Sequence, residues 1–494
     1  MKTYDYMHKG LKRLVMGFLP FYLFTSLFFQ SCDSYIDITP KGKITVDSVS
    51  QFYQLIVDPL RSYYPSSFIF LSDNQWALES DIIGKEWVSH DAINFTFNEA
   101  ADRTMVGDNN LYENMYKNIL RSNLIIDNID DAVGDPSLKM LAKAEARVFR
   151  AFDHFLAVNT YAKAYNPATA ASDGGVCIVD HYDLESTPSK HTVAEVYNFI
   201  ISELEESVAQ LQEKPVNIYH PNKAFGYALL AKVYLFHCDW AKAKAAAEAS
   251  FALNSTLVDY NVIKNAGGLS QKTDYAKDGN PEVLSYHWMS GWGGAEEVCL
   301  LHYGMLSPEL KNLFESNDLR YSIFFRIEPS SMIGYFDYGS GAPIWLRANN
   351  NIDRFTYMSV GLRTAEVYLM LAEANARLGD LSTATGYVNQ LRAKRLSGSS
   401  AIPTPATQKD MMDQIILERR KELLFGFNRF FDLKRFNQES DYQTTVVRQF
   451  PLVNITPEHP QQTYTLRPNS PLYVIPFPRT ATDRNPNLTQ NTNN

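Results

Sequence analysis

The sequence predicts a mainly α-helical protein: a scaffold of helix pairs, interrupted by long loop-rich insertions and a few short strands. Three observations carry that expectation. From about residue 109 onward, most segments repeat apolar residues at intervals of three and four, the spacing of one helix face. Two stretches, 229–253 and 370–391, align without a gap as helix, tight turn and helix. Between the helical blocks, residues 63–108, 254–301 and 326–358 are rich in Gly, Asn, Asp, Ser and aromatics and show no helical period. Insertions of that length inside a compact protein are uncommon and usually carry function.

The N-terminus comes first in the chain. Lys2, Lys9, Lys12 and Arg13 make a basic start opposed only by Asp5, and Leu14 to Phe29 carry no charge. That run is shorter than the roughly 20 residues a membrane-spanning helix needs, and Gly17 and Pro20 interrupt it. Ser31-Cys32 then gives way to Asp33, Tyr35 and Asp37. The three-part layout is that of an export signal. An uncleaved anchor or core helix and plain secretion are the alternatives. The favoured expectation is a lipoprotein signal over 1–31, cut before Cys32, whose sulfur is then acylated. Phe29 and Gln30 depart from the Leu and small residue usual in a lipobox. Each buried CH₂ of an acyl chain adds about 0.8 kcal/mol to membrane attachment.

The formal net charge is −9, with 46 Lys plus Arg against 55 acids. Loss of the basic leader makes the chain more acidic still, which argues against a nucleic-acid surface. Cys177, Cys238 and Cys299 show no paired spacing. They read as three small buried hydrophobes and not as a disulfide framework.

Residues 109–129 place Leu111, Met115, Ile119, Ile125 and Ile129 on one helix face. Residues 139–162 repeat Ala and aromatics every three or four positions. In 189–211, Thr192 precedes Glu195 by three, a capping-box spacing, and Val196, Phe199, Ile200 and Leu204 form the stripe. The two aligned stretches match at Leu230 and Leu371, Ala231 and Ala372, Asp239 and Asp380, Ala243 and Ala384, with turns at Cys238-Asp239 and Gly379-Asp380. Alanines at a crossing let helices approach closely, as in a tetratricopeptide-like pair. The 139–211 helices make a plausible third pair, and Trp240 reads as packing in a repeat turn. Residues 396–410 read as a linker, and the C-terminus, rich in Pro and Asn, shows no helix signal.

"GLRTAEVYLMLAEANARLGDLSTATGYVNQLRAKR" (361–395), "ILERRKELLFGFNRFFDLKRF" (416–436) and "IPFPRTATDRNPNLTQN" (475–491) together resemble the C-terminal signature of the SusD/RagB family, surface nutrient-binding lipoproteins of Bacteroidetes. Upstream, "AEARVFRAFDHFLAVNTYA", "GGVCIV", "TVAEVYNFIISELEESV" and "AFGYALLAKVYLFHCDWAKA" follow in the family's order. The likeness covers nearly the whole chain after the leader. Departures are Gly426-Phe427 where the family commonly has Glu-Gly, Phe436 where it has Trp, and a missing acid near Thr480. The resemblance implies a 32–215 and a 216–494 region within one unit, displayed on the outer membrane and anchored through Cys32. It also implies a SusC-like TonB-dependent barrel as partner, a glycan ligand presented over that barrel, and no enzymatic chemistry or cofactor. An oligopeptide ligand, as in RagB-like members, is the alternative within the fold. A protein-binding tetratricopeptide scaffold and a glycoside hydrolase are the alternatives from other classes.

A glycosidase needs two carboxylates about 5–9.5 Å apart across the scissile bond. Glu418, Glu422 and Asp432 could tempt that assignment, yet each has a cation nearby in sequence: Arg419, Lys421, Arg429 and Arg435. Such pairs are mostly structural. His191, His220, His237 and His302 lack metal-binding spacing, so no metal site is expected. Calcium has no D-x-D-x-D-G run to hold it. Flat exposed aromatics suit the C–H face of a sugar ring, with Asn, Asp and Arg bonding the hydroxyls. By that logic the candidate ligand residues are Tyr286, Trp288 and Trp292 in "PEVLSYHWMSGWGGAEE", with Leu284, Tyr286 and Trp288 on one face of a predicted strand. Asp73, Asn74, Trp76 and Trp87 in "LSDNQWALESDIIGKEW" follow, and then Trp345 with Arg347. For each tryptophan, core packing is the competing reading.

Overall fold

The structure is a computed structural model that describes residues 46–57, 62–63, 67–77, 79–104, 109–267, 280–289, 305–327, 346–348, 361–424 and 426–492. Side chains that can accept from free backbone donors open most of the long helices, each such cap contributing about 1 kcal/mol. Helix α1 (Val49–Leu55) begins with a Ser48/Gln51 capping box. Helix α2 is Asn109–Asn128, and α3 (Pro136–Tyr161) starts at Asp135 with Pro136 in its first turn. Helix α4 (Val193–Ser207) carries the Thr192/Glu195 capping box that the spacing predicts. Asn222 caps α5 (Lys223–Phe236) and Asp239 caps α6 (Trp240–Leu253). Helix α7 is Thr364–Arg377, and Asp380 caps α8 (Leu381–Ala393). Thr407 caps α9 (Gln408–Glu422), and α10 is Asn428–Phe436.

These helices pack as consecutive pairs: α2 on α3, α3 on α4, α5 on α6 and α7 on α8, with α7 also against α6 and α9. The two aligned stretches are therefore neighbours in one stack. Ala231, Ala372, Ala243 and Ala384 are all buried, and side chains this small let packed helices approach closely. The equivalence extends to the caps, since Asp239 accepts from Lys242 N and Asp380 from Thr383 N.

Strands are short: β1 (Ser62–Tyr63), β2 (Gln75–Trp76), β3 (Gly174–Cys177), β4 (Lys190–Thr192), β5 (Trp288–Met289), β6 (Met305–Leu306), β7 (Phe325–Ile327), β8 (Leu346–Ala348), β9 (Val446–Phe450) and β10 (Gln462–Leu466). They pair two by two, β1–β5 in parallel and β2–β6, β3–β4, β7–β8 and β9–β10 antiparallel. Among the described residues no helix is long and apolar enough to cross a membrane.

Several sequence expectations need correction. The predicted loop 63–108 contains helices at Glu79–Ile82 and His90–Phe95. They are held by tertiary contact, not local period: Phe70, Trp76, Ile82 and Phe95 pack with Phe450 in one cluster. The predicted strand over 283–288 narrows to Trp288–Met289, and Val283 to His287 are buried on both sides of the chain. Alternation cannot separate two faces when both are covered. A short helix, Arg479–Arg484, follows Pro478 near the C-terminus, where proline's fixed φ suits a helix start. Cys177 is buried as expected, but Cys238 is only half-buried, at φ 65°. Cys299 lies outside the described residues.

Candidate ligand-binding site

The acids of α9 and α10 are buried in a lattice of arginines. Glu422 accepts from Arg395 Nε at 2.9 Å, Arg363 Nη1 at 3.2 Å and Arg320 Nη1 at 3.2 Å. Glu418 contacts Arg320 at 2.6 Å and Arg392 at 3.1 Å. Asp432 accepts from Arg419 at 2.8 and 3.1 Å and from Arg435 at 2.9 Å. Burial alone would raise these carboxyls. The guanidinium groups prevail and hold Glu418 and Asp432 down to about 2, with Glu422 also held low. Carboxyls so low cannot deliver a proton near neutral pH, so none of the three suits a general acid.

Arg429 differs from the local reading, which paired it with Asp432. It forms a two-pronged bond with Asp73, both prongs at 2.7 Å. A planar fork matched to a carboxylate is the strong geometry for this pair. Arg420 completes the clamp, donating to the Asn74 side chain at 2.7 Å and the Asp73 carbonyl at 2.9 Å. Burial would raise the Asp73 carboxyl, but Arg429 and Arg420 bring it to about 2. The early loop is thereby fastened to the C-terminal helices.

Beside that clamp lies a cleft of about 220 Å³, bordered by Asp73, Trp76, Ser307, Glu309, Arg448 and Gln449. Its floor is rigid. Trp76 lies edge-on to Phe95, with ring centroids 5.4 Å apart. Arg448 donates to the carbonyls of Phe95, Ser72 and Gln75 while lying 4.0 Å from the Phe95 ring centroid. The rim faces solvent through Gln449, Val447 and Glu309, which also reaches Arg420 at 2.8 Å.

Strand pairing gives each stretch of sequence candidates its neighbours. Trp76 pairs with Met305 and Gln75 with Leu306. Ser62 pairs with Trp288 and Tyr63 with Met289. Strand β8, which contains Arg347, lies beside β6. The early loop and β8 thus share β6 as a neighbour, whereas Trp288 and Met289 pair with Ser62 and Tyr63.

Individual placements differ. Asp73, Asn74 and Trp76 are buried in the clamp and the cleft floor. Tyr286 is buried edge-on to Tyr219, and its amide donates to Ile218 O. Trp87 is 65% exposed in a turn and does not border the cleft. Trp292, Trp345 and Cys32 lie outside the described residues, and of Trp288 and Arg347 only the backbone is described. Glu309, Arg448 and Gln449 were not among the sequence candidates. The one available signal was the alternation of "VVRQF", which turns Val446, Arg448 and Phe450 inward and Val447 and Gln449 outward.

Comparison with known proteins agrees with this architecture. A model described as the SusD family matches residues 348–493, and one described as starch-binding, associating with outer membrane, matches residues 41–235. SusD-like protein P2 of Formosa agariphila is 27% identical over 386 residues, covering 68% of this chain and 74% of that protein. A SusD-like carbohydrate binding protein from Bacteroides vulgatus superposes with a TM-score of 0.66 at 21% identity, covering 90% of this chain and 98% of that one. Surface glycan-binding protein A from Bacteroides uniformis gives 0.63 at 18% identity, with the same shares of 90% and 98%.

Proposed function

The chain belongs to the SusD/RagB family, and on that premise we propose that it captures an oligo- or polysaccharide at the cell surface and passes it to a SusC-like TonB-dependent outer-membrane barrel. In this reading Cys32 is the acylated first residue of the mature protein and holds it on the outer face of the membrane. The protein binds and does no chemistry.

The observation that carries the reading is the cleft itself, where the early loop, the chain just after β6 and strand β9 meet over a floor that contains Trp76, with a polar rim. A sugar can lie against Val447 while Glu309 and Gln449 bond its hydroxyls. Trp292 sits in the sequence between β5 and β6, and in this reading its ring stacks on the bound glycan.

The test is isothermal titration of a soluble form beginning at Asp33 against host, plant and microbial glycans and a peptide mixture, with Trp292→Ala alongside. Heat from one glycan class, weakened in the variant, is the expected result. Heat from peptides alone would replace the glycan by an oligopeptide, and silence from a well-folded protein would overturn capture at this cleft.

A further inference from the structure

A second cavity, of about 140 Å³, opens where the turn between α5 and α6 meets the end of α10. It is bordered by Tyr165, Asn166, Cys238, Trp240, Gln438 and Glu439 and by none of the residues of the first cleft. We propose that this cavity is a second glycan-contact site that takes one neutral sugar ring. The inference extends the glycan reading to another place on the molecule and does not depend on the first cleft.

The lining chooses the ligand. Tyr165 and Trp240 are half-buried aromatics, each already backed by another group. The Arg377 guanidinium lies 4.7 Å from the Trp240 ring centroid, and the His237 ring lies 4.3 Å from that of Tyr165. Backed rings are fixed in place, which lowers the entropic cost of stacking a C–H face on them. The cations nearby are already committed: Arg435 bonds Glu373 at 2.5 and 2.7 Å, and Arg377 bonds Glu439. A phosphate or sulfate therefore finds no open guanidinium. The rim offers the Glu439 carboxylate, already shared with Arg377, and the side-chain amides of Gln438 and Asn166, which both donate and accept. Those two amides touch only at 3.4 Å, a weak bond that a ligand hydroxyl can replace. Hydroxyls around an apolar ring face match that set, and the volume admits one ring, not a chain of them.

This site also revises the reading of Trp240 as packing alone.

The Cys238 thiol on the cavity wall supplies the assay. The mature chain carrying Cys32→Ser and Cys299→Ser is alkylated with iodoacetamide in the presence of glucose, galactose, mannose or N-acetylglucosamine. The rate at Cys238 is read by peptide mass spectrometry, with buried Cys177 as the control for unfolding. Saturable slowing at Cys238 by at least one of these sugars is expected. Gln438→Ala should raise the half-saturating concentration about fivefold, the loss of one hydrogen bond. Gln449→Ala, in the first cleft, should leave it unchanged, so the two sites can fail separately. No saturable slowing by any of the four sugars, with Cys177 still protected, would overturn the proposal. So would slowing that Gln438→Ala and Tyr165→Ala both leave unaltered.

Discussion

Cys238 and Gly379 occupy the same corner of two successive helix pairs, and both hold left-handed backbone, at φ 65° and 87°. The following aspartates, Asp239 and Asp380, cap the next helix in the same way, with φ of −95° and −88°. The corner geometry is thus a property of the repeat. Glycine adopts it freely, whereas a residue with a Cβ meets its own carbonyl there.

A Cβ at Gly379 would meet nothing within 4 Å, so Gly379→Ala isolates the backbone effect. It should destabilise the protein by about 1 kcal/mol, read as a lower denaturant midpoint with an unchanged m-value. Cys238→Gly should shift stability the other way by no more than about 1 kcal/mol.

Glu422 lies at the centre of three arginines and is fully buried. Glu422→Gln keeps the volume but leaves Arg395, Arg363 and Arg320 short of a negative charge in a fully buried site. The expected loss is about 3–5 kcal/mol, read by urea unfolding.

Acid should weaken the fold before it would weaken an exposed surface. Burial opposes ionisation of Glu418, Asp432 and Asp73, yet neighbouring arginines hold all three to about 2, against ordinary values of 4.5 and 3.8. A depressed carboxyl contributes stability that is complete above its unfolded value and is lost as pH falls through the folded one. Unfolding free energy should therefore drop between about pH 4.5 and 2, and Asp73→Asn should flatten that decline. A flat profile in that window would contradict the network.

The Thr192 cap and the aligned helix pairs were legible because they are local: Thr192 and Glu195 lie within three residues of each other. What was not legible depends on distant chain. The helices at 79–82 and 90–95 need Phe450, and Arg429 passes over Asp432 for Asp73, 356 residues away. In the site, Asp73 and Trp76 stood out by composition alone. Glu309 and Gln449 did not, because only the β2–β6 pairing and the folding of β9 onto the early loop place them there.

That division makes the cleft rim the most informative place to mutate. Gln449 points outward from β9, so Gln449→Ala removes a polar group without touching the floor. Its effect on stability should stay within about 0.5 kcal/mol. Trp87→Ala should be equally mild, since that ring is mostly in solvent. If the cleft holds the glycan, Gln449→Ala should weaken binding by about 1 kcal/mol, the net value of one hydrogen bond. Trp76→Ala should instead cost about 3–5 kcal/mol of stability by opening the Phe95–Phe450 cluster. Titration and urea unfolding of the same three variants separate the roles: rim loss appears in affinity alone, floor loss in stability first. Unchanged glycan affinity in Gln449→Ala would move the ligand away from β9.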